Sequence, residues 1–243
     1  MKHREIFTRR KLPHWYVPGA AHFVTYRIAG TIPIAVLEEF RNNAEAKLKK
    51  APPPGISARD YRVLFHKQFF AGYDRYLDNT CKIDWLARND VATVIRENLY
   101  HHNGRKYQLL AYCVMPNHVH VLFQPIDGRD KQPACPDPTG TSKLLVPTDV
   151  GETADDNGPL ASIMHSLKSY TANKINALLE RSGQFWQHES YDHWVRDDEE
   201  LERIVEYIAG NPVKAGLASN PEEWTCCSAR DRFLRDRVRT AWV

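Results

Sequence analysis

Several features of common protein classes are missing from this sequence of 243 residues. No apolar run approaches the ~20 residues that a membrane-spanning helix needs. The basic N-terminus carries no apolar segment of the kind found in secretory signals, so a secreted protein is not expected. The five cysteines form no Cys-x-x-Cys pair, which argues against a disulfide framework and a zinc site. We therefore expect a cytoplasmic protein with reduced thiols and no membrane partner.

The overall charge does not identify a partner. Lys and Arg total 33 against 30 Asp and Glu, for a net charge of +3. Arginines concentrate near both ends of the chain, in residues 1–15 and 228–240, where they form either solvated faces or phosphate contacts. The phosphate-binding pattern Gly-x4-Gly-Lys-Ser/Thr is absent, so a reaction driven by nucleotide hydrolysis is not indicated.

Hydrophobic periodicity predicts an α+β domain. Runs of β-branched and aromatic residues predict strands, and apolar residues at helical spacing predict amphipathic helices. In chain order the predicted elements are a strand over 21–30, a helix over 33–50, a helix over 90–102, strands over 107–115 and 118–125, a helix over 159–183, a strand over 184–195 and a helix over 196–217. A single antiparallel sheet with helices on one face fits this order best.

Two segments interrupt the pattern, and the last helix has a marked end. Residues 56–90 are rich in aromatic side chains and predict an inserted helical or irregular segment. Residues 127–158 are rich in Pro, Gly, Thr and Asp, a composition typical of a long loop. The last helix is expected to end at Gly210-Asn211-Pro212, because a residue before proline is pushed out of helical geometry.

Two histidines stand one residue apart on the predicted strand 118–125. Alternate side chains of a strand share a face. His118, His120 and Leu122 are therefore expected to point to one face, and Val119, Val121 and Phe123 to the other. His-x-His alone is weak evidence for a metal site, and the pattern by itself favours two surface histidines on a half-buried strand. Two imidazoles fix only two coordination positions, so a metal site would need a third protein ligand.

A tyrosine on the last helix lies off its apolar stripe. Tyr207 and Asn211 are four residues apart and therefore share a helix face. Spacing alone leaves two interpretations open, a partly buried structural tyrosine and a reactive one. Tyr170 and Tyr191 are competing nucleophiles for which a structural role is favoured.

Three motifs occur together and in a familiar order. They are MPNHVHVLF (115–123), FWQHESYDHWVRD (185–197) and YIAGNPVKAGL (207–217). Together they resemble the single-tyrosine HUH transposases of the insertion-sequence-200-like class, and most closely the REP-associated tyrosine transposases. The resemblance extends from about Tyr16 to Trp224.

The resemblance implies the fold and the extent of the domain. It implies a ferredoxin-like (RRM-like) antiparallel sheet with helices on one face and a C-terminal catalytic helix. Residues 1–243 would form one transposase domain with its core at about 16–224. The chain departs from the family pattern in the aromatic insertion 56–90 and the flexible loop 127–158. A basic C-terminal tail, 225–243, would follow the core.

The resemblance also implies a reaction and the residues that perform it. Tyr207 matches the catalytic tyrosine, His118 and His120 match the metal-binding histidines, and Asn211 matches the polar residue that completes the metal site. The expected activity is metal-dependent cleavage and transfer of single-stranded DNA with hairpins, through a 5′-phosphotyrosine. Imidazole ligands suit Mn²⁺, whereas abundance favours Mg²⁺, so either ion is expected.

Several aspects of this interpretation stay open. A domesticated, non-cleaving binder of structured DNA or RNA would keep the same fold. A replication or relaxase-type HUH nuclease is disfavoured, because no longer histidine cluster or helicase domain is evident. The protein could be a monomer or a homodimer. Charge and position alone suggest DNA contacts at Arg9, Arg10, Lys11, Lys168, Lys174, Arg181, Arg196 and Lys214.

Overall fold

A computed structural model describes most of the chain. The described residues are 6–9, 13–48, 52–57, 61, 69–78, 83–126 and 158–230. Arg10, Lys11 and nearly all of the predicted loop 127–158 lie outside them, as does the tail beyond residue 230.

An antiparallel four-stranded sheet organises the described residues. Its strands are β3 (His22–Arg27), β4 (Tyr107–Val114), β5 (His118–Pro125) and β6 (Tyr191–Trp194). They lie in the order β4-β5-β3-β6, and each neighbouring pair is antiparallel. A separate antiparallel ribbon pairs β1 (Ile6–Arg9) with β2 (Pro13–Tyr16).

Helices lie between the strands of this sheet in the chain and also follow the last of them. They are α1 (Ile34–Leu48), α2 (69–78), α3 (Asn89–His102), α4 (Gly158–Leu178) and α5 (Asp198–Lys214). Helix α3 joins β3 to β4 and α4 joins β5 to β6, so the sheet and these helices have the β-α-β-β-α-β order of a ferredoxin-like fold. The predicted α+β, ferredoxin-like class is confirmed. Among the described helices, none is both long and apolar enough to cross a membrane.

The two faces of the sheet bury different side chains. Val119, Val121 and Phe123 of β5 join the main core with α3 and α4. Leu122 points to the opposite face and packs in a second core with Leu201 and other apolar residues of α5. The period-2 alternation expected for β5 is therefore observed, and both faces are covered.

Two predicted boundaries are wrong. Helix α5 does not end at Gly210-Asn211-Pro212 but continues to Lys214 with Pro212 inside it. Pro212 has no backbone N–H and therefore cannot donate a helical hydrogen bond. The last turn is stabilised instead by burial of Asn211 and Pro212 and by the hydrogen bond from the Ala215 N–H to the Asn211 carbonyl at 2.9 Å. The strand predicted over 184–195 is shorter than expected and covers only β6, Tyr191–Trp194. Its predicted first half forms a single isolated β-bridge, between Trp186 and Ile28.

The first part of the predicted basic tail packs on the sheet. The Val114 N–H donates to the Cys226 carbonyl at 2.9 Å, and the Tyr112 N–H donates to the Ser228 hydroxyl at 3.0 Å. Cys227 forms an isolated bridge with Cys113. These contacts cover the outer edge of β4, which would otherwise expose unpaired backbone groups.

Leu99 tests the packing of α3 on the sheet. Its side chain is fully buried in the main core, so Leu99→Ala is expected to lower the free energy of unfolding by about 2–5 kcal/mol through lost burial and a residual cavity. Leu178→Ala is the matched control, since Leu178 is also helical but 42% exposed, and its effect should stay within about 0.5 kcal/mol. Urea unfolding measures both, and equal losses would contradict this packing.

His22 makes stability depend on pH. Its Nδ1–H donates to the Ala20 carbonyl at 2.9 Å and its Nε2 accepts from the Val17 N–H at 3.3 Å, so the imidazole is held neutral. Burial lowers the pKa of His22 from 6.5 to about 4.

The unfolded chain therefore binds a proton between these two pKa values that the folded chain does not, and this stability is lost as pH falls from about 6.5 towards 4. We expect His22→Gln to reduce the slope of unfolding free energy against pH in this range by up to about 1.4 kcal/mol per unit. Denaturation at several pH values measures the slope, and identical slopes would show that His22 does not cause it.

Candidate active site

Strand β5 places His118 and His120 at the centre of the sheet. β5 lies between β4 and β3, where His118 pairs with Arg27 and His120 with Thr25. Both imidazoles are essentially fully buried, and their Nε2 atoms are 3.0 Å apart. The alternation of the strand therefore directs two nitrogen donors into one small space on the face covered by α5.

Each imidazole is oriented through its other nitrogen. Nδ1 of His118 contacts Oδ1 of Asn117 at 2.5 Å, and Nδ1 of His120 contacts the Thr25 hydroxyl at 2.8 Å. Burial and the neighbouring His120 lower the pKa of His118 well below its ordinary value, so this ring is neutral. A neutral imidazole fixed through Nδ1 presents its Nε2 lone pair, the form that binds metal ions.

Helix α2 brings a carboxylate to the same space. Oδ1 of Asp74 lies 3.3 Å from Nε2 of His120 and 3.9 Å from Nε2 of His118. The candidate ligand atoms of the three residues all lie within 4.8 Å of one another, and all three side chains are buried. Asp74, His118 and His120 could therefore hold a metal ion.

Asp74 was missed from the sequence, because it lies in the aromatic segment 56–90 that the motifs treat as an insertion. A weak signal exists in hindsight, since Asp74 and Asp78 are four residues apart among aromatic residues. Such spacing puts both acids on one helix face, but solvated acidic faces are common and the pattern does not indicate burial.

Two hydrogen bonds fasten α2 beside the histidines. Nε of Arg27 donates to the Tyr73 hydroxyl at 2.7 Å, and Nδ2 of Asn117 donates to the Leu77 carbonyl at 2.8 Å. Tyr73 and Leu77 also pack together in a small apolar core of their own. Asn117 thus orients an imidazole with its oxygen and holds α2 with its nitrogen.

Helix α5 places Tyr207 against this group. The Tyr207 hydroxyl donates to Oδ2 of Asp74, and the centroid of its ring is 5.6 Å from that of His120. Burial, together with the adjacent charge of Asp74, raises the pKa of Tyr207 far above its ordinary value. Burial alone would raise the pKa of Asp74, but His120, His118 and the Tyr207 hydroxyl hold it below its ordinary value. The resting pair is therefore a phenol bound to a carboxylate.

The donor atoms fit a divalent cation. Neither polar side-chain atom of the fully buried Asn211 makes a hydrogen bond of normal geometry with any described residue, and the same is true of Oδ1 of Asp74. A buried polar group without a partner costs about 1–3 kcal/mol. Two imidazole nitrogens with a nearby carboxylate are a donor set that Mn²⁺ or Mg²⁺ accepts, and a cation there would also satisfy the buried Oδ1 of Asp74.

Three of the proposed DNA-contacting cations are engaged within the protein. Nζ of Lys168 donates to the carbonyls of Gln187 and His188 at 3.1 and 3.0 Å. Arg196 forms a two-point ion pair with Glu200. Nζ of Lys214 donates to Asp74 at 3.1 Å and to Asp78 at 3.2 Å. Each of these cations supports a local structure, and their contact with DNA stays a prediction.

The remaining candidates differ in how much the structure says of them. Lys174 is exposed on α4, with its ammonium 5.9 Å from the ring centroid of the exposed Tyr170. Arg181 lies over the Trp85 ring, 4.4 Å from its centroid. The backbone of Arg9 belongs to β1, whereas Arg10 and Lys11 lie outside the described residues.

Comparisons with known proteins agree with the motifs. No family model matches the chain. A curated protein of Haemophilus influenzae, named "Putative REP-associated tyrosine transposase", is 25% identical over 139 residues, which are 54% of this chain and 61% of that protein. The chain thus spans less than two thirds of this relative. The predicted resemblance to REP-associated tyrosine transposases is confirmed.

A solved structure was also found. It is described as a REP-associated tyrosine transposase bound to a REP hairpin, and it aligns with 95% of this chain and 86% of its own at 15% identity and a TM-score of 0.44. A likeness this slight supports no inference about function.

The Thr25 hydroxyl tests whether orientation of His120 matters for metal binding. Thr25→Val keeps the volume but removes the partner of Nδ1, so Mn²⁺ affinity measured by calorimetry is expected to fall about 10- to 100-fold. Thr171→Val is a matched control, because Thr171 is also buried but its hydroxyl is hydrogen-bonded to the Leu167 carbonyl and the Trp186 indole and not to a histidine. Equal metal affinities in both variants would show that the Thr25 contact does not tune the site.

Proposed function

We propose that the protein is a metal-dependent endonuclease and strand transferase acting on single-stranded DNA with hairpins or palindromic repeats. The observation that carries the proposal is the hydrogen bond from the Tyr207 hydroxyl to a carboxylate that lies against His118 and His120. A tyrosine, two imidazoles and a buried carboxylate thus occupy one face of the sheet. The similarity to a REP-associated tyrosine transposase supports DNA as the substrate.

Tyr207 is the proposed nucleophile. Its phenol is protonated at rest, because its pKa is raised, so the proton leaves only as the new bond forms. As the Tyr207 oxygen attacks phosphorus it loses its proton, and the bond from phosphorus to the 3′-oxygen breaks. The departing 3′-oxygen gains a proton, so the products are a 5′-phosphotyrosine and a free 3′-OH. This covalent bond keeps the energy of the phosphodiester, so a free 3′-OH of another strand reverses the step without nucleotide hydrolysis.

The proposed metal ligands are His118, His120 and Asn211. A divalent ion bound there would polarise the scissile phosphate and stabilise the charge that develops on its oxygens. The residues themselves supply a rigid frame. β5 fixes the two imidazoles, and α5 carries Asn211 one turn after Tyr207, so both reactive groups of that helix face the same way.

The setting of the reaction follows from the same residues. Cys113, Cys226 and Cys227 are buried and free, as expected in the reducing cytoplasm, which is the compartment we propose. Both a monomer and a homodimer are compatible with a site built from β5, α2 and α5 of one chain.

Tyr207→Phe tests the nucleophile. The protein is incubated with Mn²⁺ and hairpin-bearing single strands from its own genomic neighbourhood, and a denaturant-resistant protein–DNA adduct is sought. Because the tyrosine would join the 5′ side of the cut, strands labelled at their 3′ end should give a labelled adduct and strands labelled at their 5′ end should not. Tyr207→Phe is expected to lower adduct formation at least about a thousandfold.

Matched controls identify what a failure means. Tyr170→Phe, which alters the competing exposed tyrosine of α4, should keep adduct formation within about twofold, whereas chelation of the metal should abolish it. An adduct that persists in Tyr207→Phe would show that another residue is the nucleophile. A wild-type protein that binds the hairpins but cleaves none of them would favour the non-cleaving binder of structured DNA or RNA.

A further inference from the structure

Helix α2 contributes an acidic residue that none of the three motifs contains. We propose that Asp74 is a further protein ligand of the metal ion, beside His118, His120 and Asn211, and also a positioning residue for the Tyr207 hydroxyl. The inference rests on the proposed function for the identity of the nucleophile. It assigns a role to the aromatic segment 56–90, which the motifs leave without one.

One oxygen of Asp74 faces the metal-binding nitrogens. Oδ1 is buried, lies 3.3 Å from Nε2 of His120 and has no hydrogen-bond partner of normal geometry among the described residues. The Nδ1 atoms of both imidazoles are already occupied by Asn117 and Thr25. A cation between the two Nε2 atoms and Oδ1 would bind two nitrogens and an oxygen that already lie within 4.8 Å of one another.

The other oxygen of Asp74 holds the nucleophile. Oδ2 accepts from the Tyr207 hydroxyl and, at 3.1 Å, from Nζ of Lys214. The ammonium of Lys214 also lies 5.5 Å from the centroid of the Tyr207 ring. One carboxylate therefore joins the metal position to the attacking oxygen, so the phenol is oriented before any DNA arrives.

The position of Asp74 is fixed from both sides. Tyr73, its chain neighbour, accepts from the buried Arg27, and Leu77, almost one turn later, accepts from Asn117. Arg27 and Asn117 belong to β3 and to the turn before β5, which also carry or orient the histidines. A ligand held through such supporting contacts keeps its geometry within the narrow limits that a catalytic site requires.

A simpler role for Asp74 would be to neutralise Lys214. The chain offers a matched control, because Asp78 on the same helix also accepts from Lys214, at 3.2 Å, yet does not belong to the cluster of Asp74, His118 and His120. If Asp74 serves only Lys214, substitutions at the two positions should have equal effects. If it is a ligand, they should differ in metal affinity.

The first experiment measures Mn²⁺ affinity without DNA, by calorimetry on the full chain. Asp74→Asn is expected to weaken Mn²⁺ binding at least about tenfold, and Asp78→Asn less than about threefold. Thermal unfolding checks that each variant folds, and Asp74→Ser replaces Asp74→Asn if the latter does not. Equal effects at the two positions, or no Mn²⁺ binding by the wild type, would overturn the ligand role.

The second experiment measures the single-turnover rate of adduct formation with Mn²⁺ at ten times the dissociation constant of each variant. Asp74→Asn should remain at least about tenfold slower than the wild type and Asp78→Asn. Recovery of the wild-type rate would overturn the positioning role. Weakened Mn²⁺ binding in Asp74→Asn with no adduct from any DNA, even in the wild type, would support the ligand role and overturn the proposed function alone.

Discussion

The carboxylate of Asp74 makes the contact on which the arrangement of the site depends. Asp74 belongs to helix α2. Its carboxylate contacts His120 of β5 and both Tyr207 and Lys214 of α5, so it links α2 to these two elements. An ionised group this deeply buried is unfavourable unless donors surround it. The phenol and the ammonium meet that need on one side, and the imidazoles lie on the other. A single buried charge is thus in contact with two elements that are distant from it in sequence.

The sheet provides the rigidity that such a site needs. β5 is held by neighbours on both sides, so its two histidines have little freedom to move. One face of the strand supplies the main core with α3 and α4, and the opposite face carries the polar site under α5. Because the polar cluster and the main core lie on opposite faces of the sheet, the cluster does not interrupt the packing of the main core. Asn117 connects the two parts, since it orients His118 and anchors α2.

Sequence patterns predicted those parts of the site that depend on local periodicity. Alternation along β5 indicated that His118 and His120 share a face, and the four-residue spacing did the same for Tyr207 and Asn211. Asp74 was not predicted because its burial arises from contacts with β5 and α5, neither of which is close to it in sequence. The end of α5 was misjudged for a related reason, as packing of Asn211 and Pro212 outweighs the local preference of proline.

The extension of α5 past Pro212 matters for the chemistry. A helix that ended before Asn211 would have left this side chain in irregular backbone, free to turn away from Tyr207. Because the helix continues to Lys214, the residues Tyr207, Asn211 and Lys214 stand on successive turns of one face. Lys214 then reaches Asp74 and Asp78 and ties the end of α5 to α2. The last helical turn thus brings Lys214 to Asp74, the carboxylate that the Tyr207 hydroxyl also contacts.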